Sequence, residues 1–495
     1  MKKNSLTTAV VAGIAGVAGF AGLANAVDLN PDGLGQVLIY PYYTVQGNQD
    51  TMFSVVNTSD VGKAVKVRFL EGYNSREVLD FNLFLSPYDV WTGVVTNNGS
   101  ESGPGVLRTS DSSCTTPRIP AAGVAFRNLE FSGASADGGP TDLSRTREGY
   151  IELISMGDIV PGSALDDATL HDQDGTPNGG VPACGNAITG NNPAGDLVPP
   201  SGGLFGAGMI ADVGMGYFYS YNADAVDGFT NSVIWSDSGS LNPSLQQADF
   251  AGPGAPAGTE ATAYVFNDGR LITLNYADGI DAVSAVFTAD NIFNEYLSGG
   301  VFSAQTDWVV TFPTKRFYVD GDTYGMVTAI SPFAELFSET NDGQSNVEIN
   351  INIFDQEEGT PDTSVDDDFS PVPPGAPPSS LSYEVNVISF MNPEDIDDPA
   401  DFTSGVFGSE LVRNIAPYGD SGWLWLGLAN GDGGHALRPS LEGGVVHGLP
   451  VTGFEAFNVI NSNAAPGMLA NYGAVFRHRA SRACTNTGTA DGACS

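Results

Sequence analysis

The chain has 495 residues and a formal charge of −39, from 19 Lys and Arg against 58 Asp and Glu, and it is 41% hydrophobic. A surface that acidic repels nucleic acid and anionic lipid, which sets both aside as partners for most of it. The length allows two or three domains or one elaborate β-structure, and 62 Gly among many Asn, Ser and Thr point to long loops on a β scaffold rather than to helical bundles.

Residues 1–26 read as a secretory signal peptide. Met1-Lys-Lys is the positive start, Leu6–Leu23 the apolar stretch and Ala24-Asn-Ala26 the cleavage site. No later run offers about eighteen consecutive apolar residues, so an exported chain with no transmembrane anchor is expected. Cleavage removes Lys2 and Lys3 and leaves Lys63, Lys66 and Lys315 as its lysines. The cysteines Cys114, Cys184, Cys484 and Cys494 are an even number in an exported chain, and three pairings are possible. The favoured disulfides are the short Cys484–Cys494 loop and a Cys114–Cys184 tie between two irregular regions. No Cys-x-x-Cys or nearby His accompanies them, which argues against a metal there.

An N-terminal β-domain is expected over 27–156. Gln36–Val45 is its aromatic first strand, with Pro41 marking an edge or a bend. Three apolar runs then read as a β-meander, Met52–Val56, Val65–Leu70 and Val78–Leu85. In Val65-Lys-Val-Arg-Phe69 apolar residues alternate with cations, as in a half-buried strand with one face in water. An irregular insertion fills 157–206, a loop length that is usually functional or mobile.

The central β-region, 207–354, contains a hairpin signal at Asn267-Asp-Gly269 and short helices at Pro243–Phe250 and Asp290–Leu297. It also contains a strand over Asp307–Val319 interrupted by Pro313, and a period-two run over Asn346–Phe354. Residues 355–380, acidic and Pro-rich, read as a disordered loop inserted in a long hairpin that Leu381–Val387 completes. The C-terminal β-region, 381–495, includes the apolar strand Gly422–Leu428 and ends in a basic cluster. The expected fold is mostly β: antiparallel β-sandwich-type domains with long Gly/Asp/Pro-rich loops and a few short helices.

Gly419-Asp-Ser-Gly422 copies the tetrapeptide around the nucleophile of trypsin-like proteases. That chemistry needs a His base held by a buried Asp, and His171, the one upstream histidine, lacks those surroundings. The four histidines show no metal spacing, no catalytic residue is assigned, and the chain reads as no enzyme. The better metal candidate is calcium, held by loop carboxylates at Asp166, Asp167, Asp172 and Asp174 and at Asp320 and Asp322. Extracellular calcium sites work at roughly 10⁻⁴ to 10⁻³ M and accept varied oxygen ligands. No organic cofactor is implied. On so acidic a chain the cations Lys63, Lys66 and Arg68, and the cluster Arg477, Arg479 and Arg482, are candidate self-assembly contacts for a neighbour's carboxylates. The second cluster also suits lipopolysaccharide. Trp423 and Trp425 fall on one side of a strand, where core packing is favoured over a sugar-stacking platform.

Val37-Leu-Ile-Tyr-Pro-Tyr-Tyr43, Ala64–Glu71 with Ser75-Arg-Glu-Val-Leu-Asp-Phe81, Ser86-Pro-Tyr-Asp-Val-Trp91 and Asp307–Val319 carry a resemblance. The chain resembles a family of acidic exported proteins of Gram-negative (gammaproteobacterial) bacteria, some of which form surface layers. These segments are about a tenth of the chain. The resemblance implies a β-rich, abundant, often calcium-dependent surface-layer (S-layer) protein, and it transfers no catalytic residue. Four cysteines are more than many such proteins carry. The expected function is thus an exported structural protein that self-assembles at the cell surface as a homo-oligomer or lattice, helped by divalent cations. The alternative is a secreted adhesin or surface-glycan-binding protein, and behind it a secreted hydrolase.

Overall fold

The structure, a computed structural model, describes residues 26–100, 102–171, 180–185, 188, 193–248, 260–267, 269–299, 303–337, 342–360, 380–392, 396, 402–429, 434–461, 465, 468, 470–487 and 494. The expected signal peptide up to residue 25, Asp172, Asp174 and most of the acidic loop, 361–379, lie outside them. Strand accounts for 45% and helix for 11%, so the chain is mostly β with antiparallel sheets of the sandwich type.

The first half builds two sheets from β1 (Val37–Thr44), β2 (Asp50–Asn57), β3 (Lys63–Glu71), β4 (Glu77–Leu85), β5 (Val90–Asn97), β6 (Gly105–Arg108), β7 (Glu148–Ile159), β8 (Leu204–Asp212), β9 (Tyr217–Asn222) and β10 (Asp224–Asp227). Sheet I runs β10–β1–β7–β3–β4, and sheet II runs β9–β8–β2–β5–β6. The expected meander is therefore not one sheet. β3 and β4 form a hairpin in sheet I, while β2 pairs with β5 in sheet II. The chain crosses between layers at Asn57–Lys63 and Leu85–Val90, which lets Phe53 of one layer meet Phe69 of the other at 5.6 Å and Trp91 meet Phe81 at 5.7 Å.

All twelve residues of β7 are buried, since β1 and β3 flank it and both faces are covered. Each large aliphatic side chain so buried contributes roughly 2 kcal/mol. Pro41 explains a local irregularity in β1. The β1–β7 register slips between Tyr40↔Ile151 and Tyr43↔Gly149, and β10 pairs only with Val37–Ile39 on the other side. Proline has no N–H to give a ladder, so it sits where the pairing breaks.

The second half opens with the hairpin β11 (Ala261–Asn267) and β12 (Arg270–Tyr276), as its turn residues predicted, and with helix α1 (Gly279–Phe287). Then come β13 (Asn291–Leu297), β14 (Ala304–Thr311), helix α2 (Arg316–Val319), β15 (Asn350–Asp355), β16 (Val385–Ser389), β17 (Ser421–Gly427), β18 (Thr452–Val459) and β19 (Tyr472–Arg477). Sheet III is β15–β17–β13, with Arg479–Ser481 at its far edge, and sheet IV is β16–β14–β18–β19. Asp290–Leu297, expected as a helix, is strand β13. Ile292, Asn294 and Tyr296 point to the core and Asn291, Phe293 and Glu295 away, the period of a strand. The expected long hairpin around the acidic loop also fails. Only Val347–Glu348 pairs with Ser380–Leu381, whereas β15 pairs with β17 and β16 with β14.

The two halves share one hydrophobic core. β1 packs on β14 and β18. Thr311 Oγ1 donates to Pro41 O at 2.6 Å, and Tyr221 stacks on Phe454 at 4.7 Å. Both favoured disulfides form, Cys114–Cys184 and Cys484–Cys494. No helix among the described residues is long and apolar enough to cross a membrane.

Candidate functional site

The cations of β3 do not face water. Lys63, Lys66 and Arg68 are at most 2% exposed: the segment Ile234–Ser244 lies across Lys66 and Arg68, and Lys63 is taken up by Asp158 and Ser201. Lys66 Nζ donates to Asp237 O, Arg68 to Ser240 O and Asn82 to Ser236 O. Carboxylates on neighbouring strands neutralise the layer: Lys63 pairs with Asp158 at 2.9 Å, Lys66 with Asp80, and Arg68 with Glu77 at 2.6 Å and with Glu152 at 3.3 Å. Arg316 of α2 reaches Glu152 at 3.0 Å from the second half. The expectation that Lys63, Lys66 and Arg68 dock a neighbour's acidic loop is thereby corrected. Isolated charges cannot be buried cheaply, so their partners were buried with them.

A second cluster continues this layer. Arg145 pairs with Glu71 at 2.9 Å and Asp137 at 2.7 Å, and its guanidinium lies 4.3 Å from the Phe131 ring centre. Burial alone would raise the Asp137 carboxyl, but Arg145 and Asn74 hold it below its usual range. Lys315 is fully buried and donates to the carbonyls of Ser345, Tyr383 and Ser382. Burial pushes its ammonium down to about 8 and the nearby Glu384 carboxyl up to about 8.

The other predicted site residues are scattered. Asp166 and Asp167 lie on a helical turn, Ala164–Thr169, where Asp166 accepts from Gly162 N at 2.8 Å. Asp320 is taken up by Arg76 at 3.1 Å and caps the turn that holds Asp322. Among the described residues no group of three or more His, Cys, Asp or Glu is arranged to hold a metal. Arg477 pairs with Asp224 while remaining largely exposed, Arg479 is exposed, and Arg482 donates to the carbonyls of Thr288 and Val286. The basic cluster is thus spread over a strand edge rather than focused.

Two solvent-facing sheet surfaces stand out. The outward residues of sheet II are Phe218, Ser220 and Asn222 on β9, Phe205, Ala207, Met209 and Ala211 on β8, Met52, Ser54 and Val56 on β2, and Val90, Thr92, Val94 and Thr96 on β5. None of these is charged; the face carries one charge of each sign, Asp50 beside Ala211 at the end of β2 and Arg108 opposite Val94 on the edge strand β6. Met52 sits between Met209 and Val94 across the strands, and Val56 between Phe205 and Val90. Phe218 is 52% exposed and Val90 47%. On a chain with 58 carboxylates this is an anomaly. The alternation of β2 marks it in the sequence, but four of its strands are spread over the chain from Asp50 to Asn222.

Sheet III presents an aromatic row, Phe354, Trp423, Trp425 and Phe293, on its outer face. Trp423 is 39% exposed, which corrects the expectation that it packs in the core. Its ring stacks on Phe354 at 4.7 Å with planes 17° apart, so one face of the indole is already covered. Trp425 Nε1 donates to Asn291 Oδ1.

Comparison with family models, with curated proteins and with solved structures finds no match to this chain.

Proposed function

We propose that this chain is an exported structural protein that self-assembles at the cell surface, its copies meeting through the outer face of sheet II. The observation that carries the reading is that this partly apolar face holds one cation and one anion, Arg108 and Asp50, and so is neutral overall on a chain of net charge −39. Two such molecules repel over nearly all orientations, and the repulsion is least where a neutral patch meets a neutral patch. A charged partner would leave its own groups desolvated and unpaired against Met52, Val94 and Met209, which favours a second copy as the occupant.

Five strands about 4.8 Å apart and about eight residues long make a face of roughly 500 Å². Two copies then bury about 1,000 Å², the lower end of a specific contact, which an array of repeated contacts makes sufficient. Two disulfides agree with an oxidising compartment. Calcium remains part of the proposal as the counterion that lets acidic rims approach. Sedimentation velocity and negative-stain microscopy with and without Ca²⁺ test the reading. Concentration-dependent assembly into sheets or oligomers is expected, and a dispersed monomer in both conditions contradicts it.

A second reading, glycan binding, draws on the aromatic row of sheet III, in which the exposed Trp423 lies between Phe354 and Glu295 across the strands. Saturable binding of the monomer to a sugar array, lost in Trp423→Ala, is its test.

A further inference from the structure

Arg68, Arg76 and Arg316 converge on one cavity of about 260 Å³ at the junction of the two halves. The chain is otherwise acidic, so three guanidiniums in one recess call for a reason. Arg68 comes from β3, Arg76 from the turn that follows it and Arg316 from α2. The Nε donors of Arg76 and Arg316 are buried without a hydrogen-bond acceptor, and Arg76 Nε is 3.6 Å from Asp137, beyond bonding distance. Buried polar atoms in native proteins nearly always have partners, and where the protein supplies none a water or ligand does.

We propose that this cavity is a receptor for a small, hydroxyl-rich monoanion of the sugar-acid class. The guanidinium donors suit a planar carboxylate. Glu77, Glu130 and Asp320, which also line the cavity, offset the three guanidiniums in number and disfavour a dianion such as phosphate. The remaining wall supplies Asn242, Gln246 and Thr323 for hydroxyl groups and the Tyr324 ring for the apolar side of a sugar ring. At about 30 Å³ for each water displaced, the volume fits a monosaccharide and little more. The assignment is independent of self-assembly: a protein that stays monomeric and binds the sugar acid would leave it standing.

Calorimetric titration of the purified protein with glucuronate, glucose and inorganic phosphate tests it. Saturable one-to-one binding of glucuronate is expected, with glucose and phosphate weaker by at least about ten-fold and Arg316→Gln reducing glucuronate affinity by a similar factor. Arg316 also holds Glu152, so Asn242→Trp serves as a second variant: it fills the exposed mouth without touching an ion pair, and glucuronate binding should disappear while the melting temperature stays put. Absence of saturable glucuronate binding, phosphate binding as tight as glucuronate, or an Asn242→Trp protein that binds like the parent would each overturn the assignment.

Discussion

Arg316 Nη2 lies 3.0 Å from Glu152 Oε2 while Arg68 Nη1 lies 3.3 Å from Oε1 of the same carboxylate. One buried Glu on β7 thus fastens a helix of the second half to the central sheet of the first. Removing it leaves two guanidiniums desolvated and short of a partner. Glu152→Ala should therefore cost about 3–5 kcal/mol, read as a lowered midpoint in chemical denaturation. Adding Arg316→Met to that variant should recover part of the loss, because one orphaned charge is gone.

The disulfides should separate by loop length and access. Cys114–Cys184 closes 70 residues and joins a buried Cys114 to an exposed Cys184, whereas Cys484–Cys494 closes 10 and both cysteines are partly exposed. By chain entropy the first should contribute about 4 kcal/mol and the second about 3. Because the longer loop is the more stabilising closure, mild reductant should open Cys484–Cys494 at a lower concentration than Cys114–Cys184, as thiol alkylation and mass spectrometry would show.

Two groups near Trp308 give stability opposite dependences on pH. His478 accepts from Asn294 Nδ2 at Nδ1 and donates from Nε2 to Val309 O at 3.0 Å, and burial lowers its imidazole to about 4. A folded value below the unfolded one means stability present above about 6.5 and lost as pH falls toward 4. Burial and the neighbouring Glu295 push the Glu455 carboxyl up to about 8. A raised value means stability present below about 4.5 and lost as pH rises through 8. Melting temperature should accordingly fall on both sides of a maximum, with Glu455→Gln flattening the alkaline limb and His478→Phe the acid one.

Strand periodicity made the β class, the β11–β12 hairpin and β17 legible, since these depend on local alternation and turn chemistry. It failed where pairing is non-local. Met52–Val56 looked like the neighbour of Val65–Leu70, yet β2 joins the other layer and pairs with β8, about 150 residues on. The cations of β3 misled for a related reason. Alternation shows that Lys66 and Arg68 share a face, but only the covering segment Ile234–Ser244 and the cross-strand partner Glu152 show that the face is buried. The charge-poor face of sheet II is likewise assembled from strands that no single window contains.

Self-association through the outer face of sheet II is the central proposal for this chain. Sedimentation velocity of the parent and of the double variant Val90→Asp, Phe218→Asp tests it most directly, since both side chains are about half exposed and their strands, β5 and β9, do not pair with each other. The parent should sediment as concentration-dependent assemblies and the variant as a monomer with an unchanged melting temperature. A variant that assembles as the parent does would contradict the proposed role of sheet II.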